Sequence, residues 1–211
     1  MPFIADRDLL IFEPSLFRDA SWAGQTIVAA ADASIAGTTL TSASSDFVAA
    51  GAAPGQVALV GGASLEVVEV LSATTLRVSR PRDGAHASAQ APLPVSGAPL
   101  RLSTFGPQIA MVHADVLRLL GVSPAGGPAP DEEDILNPRA LGRLEALGAL
   151  HVIFFGAAAT QGDLSPLWAR AAHYRERYLD ERRQVFVHID LDGDGVADAV
   201  RRPGLARFRR A

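Results

Sequence analysis

The hydrophobic pattern of this chain changes its period near residue 105, and this change restricts the possible folds more than any other feature. Between residues 25 and 104, apolar and polar residues alternate in short runs rich in Val, Thr, Ser, Ala and Gly. Such alternation is typical of strands with one buried face. After residue 105, apolar residues recur every three or four positions, as on one side of a helix. We therefore expect an α+β chain, with a β domain placed before a helical domain.

The β region has the pattern of a meander. Its clearest strand runs are short and separated by turn residues, at 56–60, 65–70 and 75–78. Weaker runs follow the same pattern at 26–29, 38–41 and 100–103. Five to seven short strands of this kind are expected to close, or nearly close, a small antiparallel barrel or sandwich. Residues 81–94 are rich in Ala, Ser and Pro and are predicted to be an exposed loop.

Three helices are predicted in the second half. The first carries one apolar stripe, made by Ile109, Val112, Val116, Leu119 and Leu120, and Gly121 ends it. Asn137 as N-cap with Pro138 begins the second, and Ser165 with Pro166 begins the third. Helices with such short connections form a small antiparallel bundle. The predicted segments are an N-terminal helical segment, a small β domain, a helical bundle and a C-terminal arm, at 1–22, 23–104, 105–183 and 184–211.

Composition excludes several functional classes. The 19 basic and 23 acidic residues give a net charge of -4, without the basic excess that would neutralise a nucleic-acid backbone, so no sequence-specific nucleic-acid partner is expected. The absence of Cys excludes disulfides, thiolate metal sites and a Cys nucleophile. Acidic residues at positions 6 and 8 do not fit a secretory signal. The apolar run at 150–159 is shorter than the roughly 20 residues of a membrane span, so no membrane insertion is expected.

An aspartate-rich loop is the sharpest candidate for metal binding. Carboxylates stand at loop positions 1, 3, 5 and 9, with Gly195 at position 6, and the Val196 carbonyl adds a further oxygen. Ca²⁺ prefers several oxygen ligands from one tightly turning segment. The candidate ligands are Asp190, Asp192, Asp194, Val196 and Asp198. Position 12 is Arg201 where an EF-hand has Glu, so the alternative is an Asx-rich turn that bonds its own backbone and holds no metal. No other cofactor is expected.

The end of the chain is a basic arm with one aromatic residue. The candidate interaction residues are Arg201, Arg202, Arg207, Phe208, Arg209 and Arg210. Such an arm usually docks on an acidic partner. The acidic run at 131–134 of a neighbouring copy is one candidate surface, and deletion of residues 201–211 would test the pairing.

Catalytic motifs are missing, which predicts that the chain is not an enzyme. The five histidines show no paired metal-binding spacing such as HExxH. No GxSxG nucleophile elbow accompanies His113 and Asp115. A hydrolase would require the fold to bring His113 or His151 beside a serine and an acid.

The helical half resembles the head-tail connector and tail-adaptor proteins of tailed bacteriophages or prophages. The resemblance lies in an apolar helix at 141–155, a polar connection containing Asp163, and a helix with Trp168, Tyr174 and Tyr178. The β segment at 55–78 is similar to the small β domains that phage neck and tail proteins insert between helices. Together these segments cover about half of the chain.

The resemblance implies a structural virion protein of the phage neck. Such a protein forms a ring, commonly a dodecamer, that connects the portal to the tail. Its partners would be other copies of itself, the portal protein and tail-completion or terminator proteins. It would be assembled in the host cytoplasm and end in the virion. The alternative function is a calcium-stabilised, non-enzymatic binding or adhesion module, supported by the aspartate loop.

Overall fold

The computed structural model describes residues 1–123 and 130–204. The chain divides into two compact units, one made of Met1–Ile4 with Pro107–Ala211, and the other of Ala5–Gly106. It therefore starts in the helical unit, leaves to form the β unit, and returns. The protein has both strands and helices, as the change of period predicted.

The β unit is a closed, antiparallel, six-stranded barrel with the strand order β1-β2-β5-β4-β3-β6. The strands are β1 Gln25–Ala36, β2 Thr39–Thr41, β3 Val57–Val60, β4 Ala63–Ser72, β5 Thr75–Ser79 and β6 Val95–Thr104. All six lie where the sequence predicted strands. Strand β1 is much longer than the predicted run at 26–29, because register shifts along its pairing with β6 interrupt the regular alternation.

Alternate side chains of the strands fill the barrel interior. The buried core contains Val28, Ala33, Ile35, Leu40, Phe47, Ala58, Val60, Leu65, Val67, Leu76, Val78, Leu100 and Leu102. Closure of the sheet leaves no unpaired edge strand, which would otherwise be open to association with another chain. The barrel is therefore a self-contained body with its own core.

Residues 5–24, which precede β1, also belong to the barrel unit. They form helices α1 Asp6–Leu9 and α2 Leu16–Asp19 and a 3₁₀ turn at Ser21–Ala23. Residues 1–4 of the predicted entry segment 1–22 belong to the helical unit and the rest to the barrel unit. Asp6 joins the beginning of the unit to its end, because its carboxylate accepts the Phe105 N–H at 2.7 Å and the Thr104 hydroxyl at 2.6 Å. Burial raises the pKa of Asp6 to about 6, although these two hydrogen bonds oppose the rise.

A buried ion triad holds the long connection between β5 and β6. Arg82 donates two hydrogen bonds to Glu66, at 2.6 and 3.0 Å, and Arg7 donates a third at 2.7 Å. Burial pushes the pKa of Glu66 up, but the bonds and charges of the two arginines outweigh it and leave the pKa below its usual value. Arg82 also binds the carbonyls of Ala85 and Ala87. The predicted exposed loop at 81–94 is thus fixed by ionic contacts rather than by apolar burial.

The helical unit contains three long helices and a short hairpin. They are α3 Gly106–Leu120, α4 Arg139–Gln161 and α5 Leu167–Gln184, followed by strands β7 Val187–Ile189 and β8 Ala199–Arg201. Helix α3 ends before Gly121, as predicted, and this glycine has a φ of +65°. A Cβ at Gly148 of α4 would lie 2.7 Å from Val112 and 3.0 Å from Tyr178, so the lack of a side chain there lets α3 and α5 both pack on α4.

The predicted N-cap role of Asn137 is wrong. Its side chain instead binds the segment that leads into the hairpin. The side-chain amide donates to the Phe186 carbonyl at 2.9 Å, and its oxygen accepts the His188 N–H at 2.8 Å. Helix α4 begins at Arg139, after Pro138, without a side-chain cap. Asn137 therefore binds a partner about fifty residues away in sequence instead of capping the helix that follows it.

Within the described residues, α4 is long and apolar enough to cross a membrane, by length and composition alone. The stretch that meets this test is 61% buried inside the protein. The core helix of a soluble protein passes the same test, so the finding is weak support for insertion. The apolar run that the sequence suggested covers only residues 150–159. In the helix, Ala and Leu residues before position 150 extend the apolar character towards the N-terminus.

Replacing Arg82 with Ala is expected to destabilise the barrel by about 3–5 kcal/mol, because it leaves the buried Glu66 charge without its bidentate partner. The matched control is Arg77→Ala, which removes a pair with Glu69 whose side chains are 47% and 50% exposed. The control should cost less than about 1 kcal/mol. Urea unfolding of both variants measures the difference. Equal costs for the two substitutions would contradict a structural role for the triad.

Candidate metal and interaction sites

The aspartate loop is the connection of the β7–β8 hairpin. Strand β7 ends at Ile189 and β8 begins at Ala199, so residues 190–198 form the turn between them. One carboxylate oxygen from each of Asp190, Asp192 and Asp194 lies within 4.8 Å of the other two. This is the group of side chains in the described residues that could hold a metal ion.

The loop is also shaped by its own hydrogen bonds. Asp190 is 6% exposed and accepts the N–H groups of Gly193 at 2.8 Å and Gly195 at 2.7 Å. These bonds, that of Gly195 above all, hold the pKa of Asp190 below its usual value. Asp194 accepts the Val196 N–H at 2.7 Å. A carboxylate oxygen has two lone pairs and can accept an N–H while it binds a cation, so the turn and metal alternatives are compatible with the same geometry.

The other predicted ligands lie outside this triad. Asp198 accepts the Leu191 N–H at 2.7 Å and so closes the base of the loop. The Val196 carbonyl stays a predicted ligand, since the triad is defined by side-chain oxygens alone. At position 12, Arg201 turns away from the loop and donates to the carbonyls of Leu120 and Gly121 at 2.5 and 2.9 Å. Arg201 at position 12 therefore has a structural role, since its guanidinium binds the C-terminal end of α3.

The first two arginines of the predicted arm are part of the helical unit. Arg201 belongs to β8, and Arg202 lies over the ring of Phe186, 3.9 Å from its centre. The Arg182 side chain then binds the Pro203 carbonyl at 3.1 Å. These contacts fix where the remaining arm begins. The other predicted interaction residues fall outside the described residues: Arg207, Phe208, Arg209 and Arg210.

The acidic run at 131–134 lies beside the aspartate loop. The Asp190 N–H donates to the Asp134 carbonyl at 2.9 Å, and Ile135 pairs with Ile189 of β7 in an isolated antiparallel bridge. Two acidic segments that are distant in sequence therefore adjoin in one part of the helical unit. Sequence patterns alone did not predict that they meet.

A buried cluster around His113 was also missed. His113 of α3 lies between two carboxylates, with Nε2 at 3.3 Å from Glu132 and Nδ1 at 3.3 Å from Glu145. The Phe3 N–H donates to Glu145 at 2.8 Å, and the Met1 ammonium binds Glu132. The available signal was a glutamate directly after Leu144, on the apolar side of a helix.

The histidines form contacts with structural roles. His113 packs edge-on against Phe3, with ring centres 4.8 Å apart. The predicted neighbour of His113, Asp115, instead binds Arg118 at 2.9 Å. His151 is hydrogen-bonded through Nδ1 to the Ala171 carbonyl at 3.0 Å. None of these contacts is the serine, histidine and acid arrangement of a hydrolase.

Substituting Arg201 with Ala is expected to destabilise the helical unit by about 1–2 kcal/mol, because two carbonyls at the C-terminal end of α3 lose a charged donor. Arg183→Ala serves as control, since Arg183 is 73% exposed and pairs only with Asp180 among the contacts described. Thermal unfolding followed by circular dichroism compares the two. A loss no larger for Arg201 than for Arg183 would argue against the capping role.

Comparison with protein families, curated proteins and solved structures finds no match to this chain.

Proposed function

We propose that this chain is a non-enzymatic structural protein of the neck of a phage or phage-derived particle, where it forms a ring that connects the portal to the tail. The observation that carries the proposal is the packed pair of helices α4 and α5. These helices hold the segments on which the resemblance to connector proteins depends. Tyr174 of α5 stacks on Phe154 of α4, with ring centres 5.6 Å apart and planes 7° from parallel. Tyr178 packs at Gly148.

In this proposal the three long helices form a small antiparallel bundle that acts as the body of the subunit. The tyrosines of the resembling helix support this role, because both pack on α4. The barrel, inserted between residues 4 and 107, adds a second surface. Ring subunits need two different surfaces, one on each side, because each contact in a ring is heterologous.

The opposite charges of two segments would allow contacts between copies. The acidic segments at 131–134 and 190–198 lie side by side, whereas Pro203 is bound at the C-terminal part of α5. The arginines beyond residue 204 would then bind the acidic surface of the next copy. The partners are other copies, the portal protein and tail-completion or terminator proteins. The location is the virion, after assembly in the host cytoplasm.

Light scattering of the purified chain, alone and mixed with a portal ring, tests the proposal. We expect a closed oligomer, dodecameric in the simplest case, or a monomer that joins the portal ring in fixed proportion. A monomer whose mass stays unchanged with portal would overturn the connector function.

A shortened chain makes the test specific for the arm. Truncation after Gly204 removes four candidate interaction residues and leaves the contacts of Arg201 and Arg202 intact. Deleting residues 201–211 would also remove those structural contacts, so the shorter deletion is the better variant. We expect it to weaken assembly without changing the melting temperature. Unchanged assembly would exclude the arm from the interface.

A calcium-stabilised, non-enzymatic binding module is the second candidate function. The observation that favours it is the carboxylate triad of Asp190, Asp192 and Asp194. Ca²⁺ bound there would tie the hairpin loop together and neutralise its negative charge. The ion would then have a structural role and take no part in a reaction.

For this second function, millimolar Ca²⁺ should raise the melting temperature of the chain and a chelator should reverse the rise. Asp194→Asn is expected to abolish most of the effect, because it removes one charged ligand while keeping the side chain's size. Asp163→Asn is the control, since Asp163 is exposed on the connection between α4 and α5. Calorimetric titration measures binding directly. The same calcium response in both variants would rule out the triad as the site.

A further inference from the structure

Glu145 is a carboxyl group with no exposure to solvent inside the helical unit. It lies in α4 between Leu144 and Ala146. Its Oε2 atom accepts the Phe3 N–H at 2.8 Å. Its Oε1 atom is buried and has no hydrogen-bond partner of ordinary geometry. A charge in this position would be strongly disfavoured unless a partner compensated it.

The natural partner is His113. Its buried Nδ1 atom also has no ordinary hydrogen-bond partner, and it lies 3.3 Å from Oε1 of Glu145. Two acceptors this close cannot both be satisfied without a proton between them. One proton between Oε1 of Glu145 and Nδ1 of His113 satisfies both of these atoms. The Nε2–H group of His113 then remains to donate to Glu132.

The environment favours a neutral pair. Burial raises the pKa of Glu145 to about 8, with the nearby Glu132 charge adding to the rise, while the Phe3 N–H and the Met1 ammonium oppose it. Burial likewise lowers the pKa of His113, although its contact with Glu132 opposes that. At neutral pH the proton is therefore on Glu145, and the uncharged imidazole accepts it as a hydrogen bond.

Residues 1–4, which we call the N-terminal strap, cover this pair. The Phe3 N–H binds Glu145 and the Phe3 ring packs on His113. Ile4 lies against Gly142, where an added Cβ would be 3.5 Å from its side chain. The strap is short and has no helix of its own, whereas His113 and Glu145 stand in helices with continuous backbone bonding. Moving the strap is thus the least costly way for water to reach Glu145.

We propose that Glu145 and His113 share one proton and that this proton acts as a latch, which holds the strap on the helical unit and releases it as the pH rises. The released state lets water hydrate the Glu145 carboxylate.

The direction of the pH effect follows from the groups that face the pair. These are Glu132, the Met1 ammonium and the two members of the pair themselves. Glu145 has an ordinary pKa of 4.5 when released and about 8 when covered, so rising pH favours release until about 8. His113 acts in the opposite direction below its ordinary value of 6.5. Between pH 6.5 and about 8, only Glu145 contributes to the pH dependence. The equilibrium constant for release of the strap should rise by up to about tenfold per pH unit inside this range.

Amide hydrogen exchange of Phe3, measured by NMR on the full chain from pH 6.5 to 8, tests the latch. After correction for intrinsic exchange, protection in the wild type should fall about tenfold over this window, because the covered Glu145 is half ionised at its upper end and the released His113 is half protonated at its lower end. Glu145→Gln should remove the fall, because the amide can donate to His113 and accept from Phe3 but cannot ionise. Glu133→Gln is the matched control, since Glu133 is exposed in the same acidic run, and it should keep the wild-type slope.

Infrared difference spectroscopy gives a second, independent measurement. The wild type at pH 7 should show the carbonyl stretch of a buried protonated carboxylic acid, and Glu145→Gln should lack it. Absence of this band from the wild type would overturn the proposal, even if the variant failed to fold. Protection of Phe3 that is independent of pH in the wild type, or equally dependent on pH in Glu145→Gln, would overturn it as well.

Discussion

The pairing of β1 with β6 is the constraint on which the barrel depends. These strands are about seventy residues apart in sequence, and their ladder runs from Gln25 with Thr104 to Ile35 with Val95. Without it the remaining strands would form an open sheet with two free edges. Bringing the two ends of so long a segment together costs chain entropy. The apolar side chains that become buried when the barrel closes must compensate this cost. The short strands between β1 and β6 pair with one another, and closure adds the core that all six strands share.

The helical unit depends in a similar way on one crowded position. At Gly148 the helix α4 is approached by Val112 of α3 and Tyr178 of α5, so a single absent side chain sets the spacing of three helices. Three residues earlier, the same helix places Glu145 in the interior. Close packing and a buried acid thus occur within one turn of one helix. The short strap at the start of the chain covers the acid and so links the N-terminus to this core.

The sequence predicted the elements better than the contacts between them. Alternation located all six barrel strands and periodicity located the three long helices, because both signals are local. The calcium-like spacing located Asp190, Asp192 and Asp194, which the fold brings together. Partners distant in sequence could not be predicted: Asn137 binds the β7 segment, Arg201 binds the end of α3, and His113 meets Glu145. In each case a tertiary contact determined the role of a residue whose local motif suggested another.

The hydrogen bonds of Asp6 to Thr104 and Phe105 place the first and last residues of the barrel next to each other. A body whose two ends meet can be removed from a chain, or added to one, without stretching the chain on either side. The barrel is thus suited to exchange as a cassette in a single recombination event. A gene fusion that joined residue 4 almost directly to residue 107 would remove the whole barrel and leave the strap, the buried acid and the three long helices in one chain.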